Sequence, residues 1–211
     1  MSPRREAYHH GNLKAALVDA AVGLISQRGV HGFSLAEVSR RVGVAASAPY
    51  AHYADREDLL AAVAVQACQL FHSAFPRAGG QASSPAARLA AIADAYVRFA
   101  AGHEPHFRTL FEAGLDKRRH PELAAAEQPI DDAFMETVRE LPGAGDDHAT
   151  EALAAAVEAT AHGYATLLLD GRFGERPGAV DRAAEGAARA TLTLVEGRAL
   201  LRPPGRAIGR R

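Results

Sequence analysis

The chain of 211 residues predicts an all-α protein of about nine helices, and three observations carry that prediction. Apolar residues recur at the three- and four-residue spacing that lines one face of a helix. No stretch alternates apolar and polar residues over the length of a strand. Ala, the strongest helix former, is abundant, while Gly and Pro fall mostly between the helical segments.

Residues 1–8 read as a short polar arm. Arg4 and Arg5 either reach phosphates or an adjacent minor groove, or simply belong to a solubilising terminus. A first helix from about Gly11 to Arg28 sets Leu13, Leu17, Ala20, Ala21, Leu24 and Ile25 on one face. The turn Gly29-Val30-His31-Gly32-Phe33 comes next, with Phe33 as a core plug and His31 at the surface. Ser34 is a good N-cap, and Glu37 three residues on completes a capping box. Leu35, Val38 and Val42 then give the second helix its inward face, with Arg40 and Arg41 pointing away. Gly43 ends that helix, because a residue without Cβ takes the left-handed conformation easily. A third helix begins near Ala46 or Ser47, since Pro49 lacks a donor N–H and fits only in a first turn. Helix, Gly turn and short helix make a helix-turn-helix, whose second member enters the DNA major groove. On it, Ser47 and Tyr50 can donate to phosphates or base edges, and Ala46 and Ala48 can meet only thymine methyls. A reader so poor in long polar side chains draws much of its specificity from DNA shape, water or the arm.

A long helix opens near Arg56 and ends in the loop Pro76–Pro85. Beyond it the spacing predicts helices over 85–103, 105–116, 121–141, 147–170 and 179–201. Tyr96, Phe99, His103, His106, Phe107, Leu110 and Phe111, joined by Phe134 and Met135, can line an apolar effector pocket with a few polar tips. Ordinary core packing accounts for the same residues. His103 and His106 stand at i, i+3, but no further ligand is placed by spacing, so no metal is expected. Helices 147–170 and 179–201 are rich in small and apolar residues (Ala152, Ala155, Ala159, Ala183, Ala187, Leu192, Val195). Two such helices from each of two chains make a four-helix bundle and a homodimer, although a monomer could bury both.

The run from Gly11 to Leu60 resembles the DNA-binding domain of the tetracycline-repressor (TetR) family of transcriptional regulators. The marks are the amphipathic helix ending at Arg28-Gly29, the helix and turn from Ser34 to Val44, Tyr50-Ala51-His52-Tyr53, and Asp55-Arg56-Glu57-Asp58-Leu59. Tyr53 stands where the family more often has Phe, Arg56 where it often has Lys, and Pro49 where Leu is common. The resemblance implies that His52 and Arg56 hold phosphates, that Ser34 and Leu35 lie beside the opposite strand, and that Arg40 or Arg41 sits near the backbone. Tyr53 either joins that surface or packs between helices. The segment Glu158–Gly171, with His162-Gly163, and the opening Tyr8–Leu13 are similar to a branch named for a Trp…His-Gly pattern, although Glu158 replaces the Trp. Either His162 lines the cavity, or Gly163 permits close helix contact.

Residues 1–56 are thus expected to form the DNA-binding domain, 57–201 an effector-binding and dimerisation domain, and 202–211 a disordered basic tail. Charge agrees: 1–56 hold seven Lys or Arg against four acids, whereas the rest holds 17 against 21. With 48% hydrophobic residues, no leader, no bilayer-spanning run and a single Cys68, a soluble cytoplasmic protein without a membrane partner is expected. The function expected is a ligand-responsive regulator, a repressor released from palindromic double-stranded DNA by an unknown small-molecule effector. The alternative is a helical ligand-binding or catalytic protein without DNA binding. No HExxH, Gly-x-Ser-x-Gly or phosphate-cradling Gly loop supports an enzyme, and no cofactor is called for.

Overall fold

The computed structural model describes residues 10–79, 82–144, 148–174 and 177–201. Arg4, Arg5 and the tail 202–211 therefore lie outside the described residues, as does the arm as a whole. Among the described residues the chain forms eight α-helices, two 3-10 turns and no strand. The helices are α1 (His10–Arg28), α2 (Leu35–Val42), α3 (Arg56–Gly79), α4 (Pro85–Gly102), α5 (Glu104–Glu112), α6 (Pro121–Arg139), α7 (His148–Leu169) and α8 (Ala179–Glu196). The 3-10 turns span Ala48–Ala51 and Arg198–Leu201.

Two compact units emerge. The first comprises the chain up to Cys68 together with His103–Ala126; the second comprises Gln69–Gly102 and the chain from Glu127 on. The first unit is built on α1, whose Leu17, Ala21, Leu24 and Ile25 are buried with Val30, Phe33, Leu35 and Val38, and with Leu59, Leu60 and Val63 of α3. Ala113 and Leu115, just after α5, pack against the same core, and α5 lies on α1. The segment after residue 102 thus returns to the N-terminal helices, which local periodicity could not disclose.

In the second unit α4, α7 and α8 pack on one another. One buried cluster joins Leu89 and Ile92 of α4 to Val138, Leu153, Val157 and Val195. Small residues do bring α7 and α8 together, but at Gly186 rather than Gly163. A Cβ on Gly186 would lie 2.6 Å from the Tyr164 ring, whereas one on Gly163 would meet nothing within 4 Å. Close helix contact is therefore not the role of Gly163 within this unit. By length and composition α7 is apolar enough to cross a membrane, contrary to the expectation that no run in the chain is.

Several expected boundaries move, among them the end of α5 at Glu112 rather than 116 and of α8 at Glu196 rather than 201. The helix from Arg56 runs past Pro76 to Gly79, since one missing ladder bond tilts a helix without forbidding the next turn. Pro129 likewise sits inside α6. The expected third α-helix is a single 3-10 turn, Ala48–Ala51.

Candidate nucleic-acid interface

The surface is built outward from the first capping box. Ser34 has an extended backbone (φ −123°, ψ 158°), and its N–H donates to Glu37 Oε2 at 2.9 Å while its Oγ accepts from the Glu37 N–H at 3.4 Å. The Arg28 guanidinium donates to the same carboxylate, tying the end of α1 to the start of α2. Hydrogen bonds from Arg28, then from Ser34, hold the Glu37 carboxyl below its usual range. At the other end Gly43 is left-handed (φ 79°, ψ 29°), and its N–H donates to Ser39 O at 2.9 Å. A Cβ there would touch nothing. The glycine is required by backbone conformation alone.

The chain then tightens into the 3-10 turn, and Pro49 explains why. Proline gives no N–H, and Ser47 makes no side-chain cap. The bonds Ala48 N–H to Ala45 O (2.9 Å), Tyr50 N–H to Ser47 O (3.2 Å) and His52 N–H to Pro49 O (2.9 Å) close three-residue loops instead of an α ladder. Pro49 is buried, and Tyr50 beside it is 60% exposed. Ala45, Ala46 and Ser47 are also exposed, while Ala48 and His52 are half-buried. The turn thus presents Ala46, Ser47 and Tyr50 outward from a buried proline foot.

Several candidates are anchors instead. Leu35 is buried in the α1–α2 core, so its side chain offers no face to a duplex. Tyr53 is buried too: its hydroxyl donates to Lys14 O at 3.3 Å, Lys14 Nζ lies 5.8 Å from the ring centre, and burial pushes the phenol up to about 12. Of the two readings of Tyr53, packing is the one its side chain obeys. Arg56 turns inward, donating from Nη1 to Val30 O at 2.9 Å with its guanidinium over the Phe33 ring. Arg40 remains outward, 4.0 Å from Glu37. Arg41 is exposed along α1, with Nη1 3.5 Å from Gln27 Oε1.

The start of α3 carries acidic residues to which the sequence assigned no role at the site. The Asp55 carboxylate accepts the Asp58 N–H at 2.9 Å, and Asp58 accepts the Ala54 N–H at 2.8 Å. Arg119, between α5 and α6, donates to Glu57 Oε2 at 2.6 Å and to Asp55 Oδ2 at 3.3 Å. Its neighbour His120 is buried, with Nε2 3.3 Å from Glu57 Oε1. Only the fold brings 119 and 120 to residue 57.

The effector-pocket candidates divide. The second unit unites Tyr96, Phe99 and His162: Tyr96 Oη lies 3.0 Å from His162 Nδ1, and Phe71 packs edge-on to the Tyr96 and Phe99 rings. Burial, then the nearby Glu158 carboxylate, raises the Tyr96 phenol far above its ordinary value. Phe134 packs elsewhere, against the Leu89–Val157 cluster. His103, Phe107 and Phe111 belong to the first unit, as a His103–His106 contact at 5.9 Å and a Phe107–Phe111 contact at 4.9 Å. Among the described residues, no group of three or more His, Cys, Asp or Glu is arranged to hold a metal.

The model of bacterial regulatory proteins of the tetR family matches residues 17–63, and that of the tetracycline-repressor-like C-terminal domain matches residues 89–191. No curated protein matches the chain in sequence. Among solved structures, a protein of unknown function from Rhodococcus sp. RHA1 is 31% identical, with 90% of this chain and 98% of that one covered at a TM-score of 0.71. The TetR family transcriptional regulator PfmR from Thermus thermophilus is 16% identical, covering 84% of this chain and 97% of its own at 0.66. The fatty acid degradation regulator FadR from Bacillus halodurans is 14% identical, covering 88% and 97% at 0.67. At those last identities the likeness speaks for the fold alone. With both family domains matched in order, and with a helix-turn-helix of the described geometry inside the first, the chain belongs to the TetR family of ligand-responsive, DNA-binding transcriptional regulators, which are not enzymes.

Proposed function

We propose that the chain is a repressor that binds a palindromic operator as a homodimer in the cytoplasm and leaves it when a small-molecule effector binds. In this reading residues 1–56 engage DNA and 57–201 serve the effector and the partner subunit. The observation that carries the interface is Tyr50, 60% exposed on a turn whose next residue inward, Pro49, is buried. Held outward, the Tyr50 side chain offers a partner both an apolar ring and a hydroxyl. Ala46, Ser47, Ala48 and Tyr50 meet the major groove, and His52, Ser34, Arg40 and Arg41 flank it at the backbone. Leu35, Tyr53 and Arg56 support this surface from within. The effector reading rests on Tyr96, Phe99 and His162, where a hydrogen-bonded polar pair sits among aromatic rings.

The dimer reading rests on α7 and α8. Of the most apolar stretch of α7, 28% is buried within the chain, and Leu167 and Leu192 are exposed. A second copy would cover them and set two reading turns about 34–36 Å apart, one turn of DNA. The test is Tyr50→Ala, assayed by fluorescence anisotropy on a duplex that the wild type selects from a random-sequence library. Affinity should fall at least about tenfold, a loss of about 1.4 kcal/mol, with helicity unchanged. Retention of wild-type affinity would remove the turn from the interface.

A further inference from the structure

We propose that Lys14, on α1, is a phosphate contact of the DNA interface, seated beside the reading turn by Tyr53. The inference rests on the reading in which Ala46–His52 contacts DNA. Tyr53 follows that stretch directly, and its N–H donates to Pro49 O at 2.9 Å. Its hydroxyl donates to Lys14 O at 3.3 Å. Tyr53 is therefore bonded at its backbone to the buried foot of the turn and at its far end to α1. Through it the position of Lys14 is fixed to the reading element.

The side chain is held by the same residue. Lys14 Nζ lies 5.8 Å from the centre of the Tyr53 ring, within the range at which an ammonium is drawn to an aromatic face. Tyr53 is buried and Lys14 is exposed. The charge therefore sits at the solvent edge of a ring whose backbone continues the reading turn.

Lys14 also stands apart in its pairing. Arg28 donates to the Glu37 carboxylate, and Arg40 lies 4.0 Å from it. Arg41 Nη1 is 3.5 Å from Gln27 Oε1. Arg56, which the family resemblance puts on a phosphate, donates instead to Val30 O at 2.9 Å, with its guanidinium over the Phe33 ring. Among the described residues Lys14 Nζ has neither a carboxylate nor a hydrogen-bond acceptor. An ammonium carries three N–H donors and no acceptor, and a phosphate oxygen beside the groove is the acceptor that suits it. The cation withdrawn into the core at residue 56 is thus supplied from α1.

The experiment measures affinity of the full chain for the library-selected duplex, and for an unrelated duplex of the same length, from about 0.05 to about 0.3 M salt. Lys14→Gln should bind the selected duplex roughly tenfold more weakly at about 0.1 M salt, with a plot of log affinity against log salt shallower by about one for each chain bound. The loss should be similar on the unrelated duplex, because a phosphate carries no sequence. Lys14→Arg, which keeps a cation over the ring, should restore the slope. Arg108→Gln removes the same charge from α5, where Arg108 pairs with Glu104 and Glu112, and should keep the wild-type slope. A lysine that only covers the Tyr53 ring would leave the slope untouched. The proposal is overturned if Lys14→Gln retains the wild-type slope, if its loss is confined to the selected duplex, or if Arg108→Gln flattens the slope as much. Tyr50→Ala separates the two readings: wild-type affinity in that variant defeats the reading turn, whereas loss of binding there with an unchanged slope in Lys14→Gln defeats the Lys14 contact alone.

Discussion

Tyr53 shows how one residue can look like a contact and act as a bolt. Its ring is buried between α1 and α3, and its hydroxyl reaches Lys14 O at 3.3 Å. Burial raises the phenol to about 12, so the folded state keeps a proton that the unfolded chain loses near pH ~10. Stability from this group is complete below that pH and drains away as pH rises to about 12. Tyr53→Phe should flatten part of the alkaline loss of stability, read as melting temperature against pH. Tyr96, raised in the same direction, leaves a residual slope. At neutral pH the variant should lose only about 0.5–1.5 kcal/mol, the net worth of one hydrogen bond. Arg56 is a similar case: the side chain expected on phosphate donates to Val30 O at 2.9 Å. The family resemblance singled out both residues. Which way each points depends on whether a carbonyl from a distant turn lies within reach.

At the scale of elements, α2 is the one most completely written into local sequence. Ser34, Glu37 and Gly43 are cap, box and stop, and each takes the expected geometry. Ser34→Ala should cost about 1 kcal/mol in urea-induced unfolding, because it removes the Oγ that accepts the Glu37 N–H at 3.4 Å and donates to Glu37 Oε2 at 3.0 Å. An unchanged unfolding midpoint would show the Arg28–Glu37 tie sufficient on its own. The second member of the helix-turn-helix takes a different form from the one expected. Pro49 limits it to a 3-10 turn between Ala48 and Ala51, too short for a helical ladder. Its rigidity comes from the buried ring of Pro49 and from the capping bonds among Ala54, Asp55 and Asp58 just after it.

For the molecule as a whole, the proposed function requires two surfaces to be covered, one by a second copy and one by a duplex. If α7 and α8 form the dimer face, Leu167→Glu together with Leu192→Glu should shift sedimentation from dimer to monomer and lower operator affinity at least about a hundredfold. That loss is the avidity lost with the second reading turn. Dimeric sedimentation in this double variant would move the interface elsewhere. The charge excess within residues 1–56 further implies that affinity falls steeply with salt, as counterion release requires. A titration that is flat in salt would contradict a phosphate-bound mode.

The sequence alone determined the helical class, the order of the helices and the capped α2 with its glycine stop, because those depend on interactions within a few residues of one another, while its motifs carried the family resemblance. Only the tertiary structure decided that α5 rests on α1, that Arg119 and His120 meet Glu57, that Leu35, Tyr53 and Arg56 face inward, and that the close approach of α7 to α8 falls at Gly186. These contacts join residues tens of positions apart. Their formation depends on how helix faces pack in three dimensions, and no local period encodes that packing.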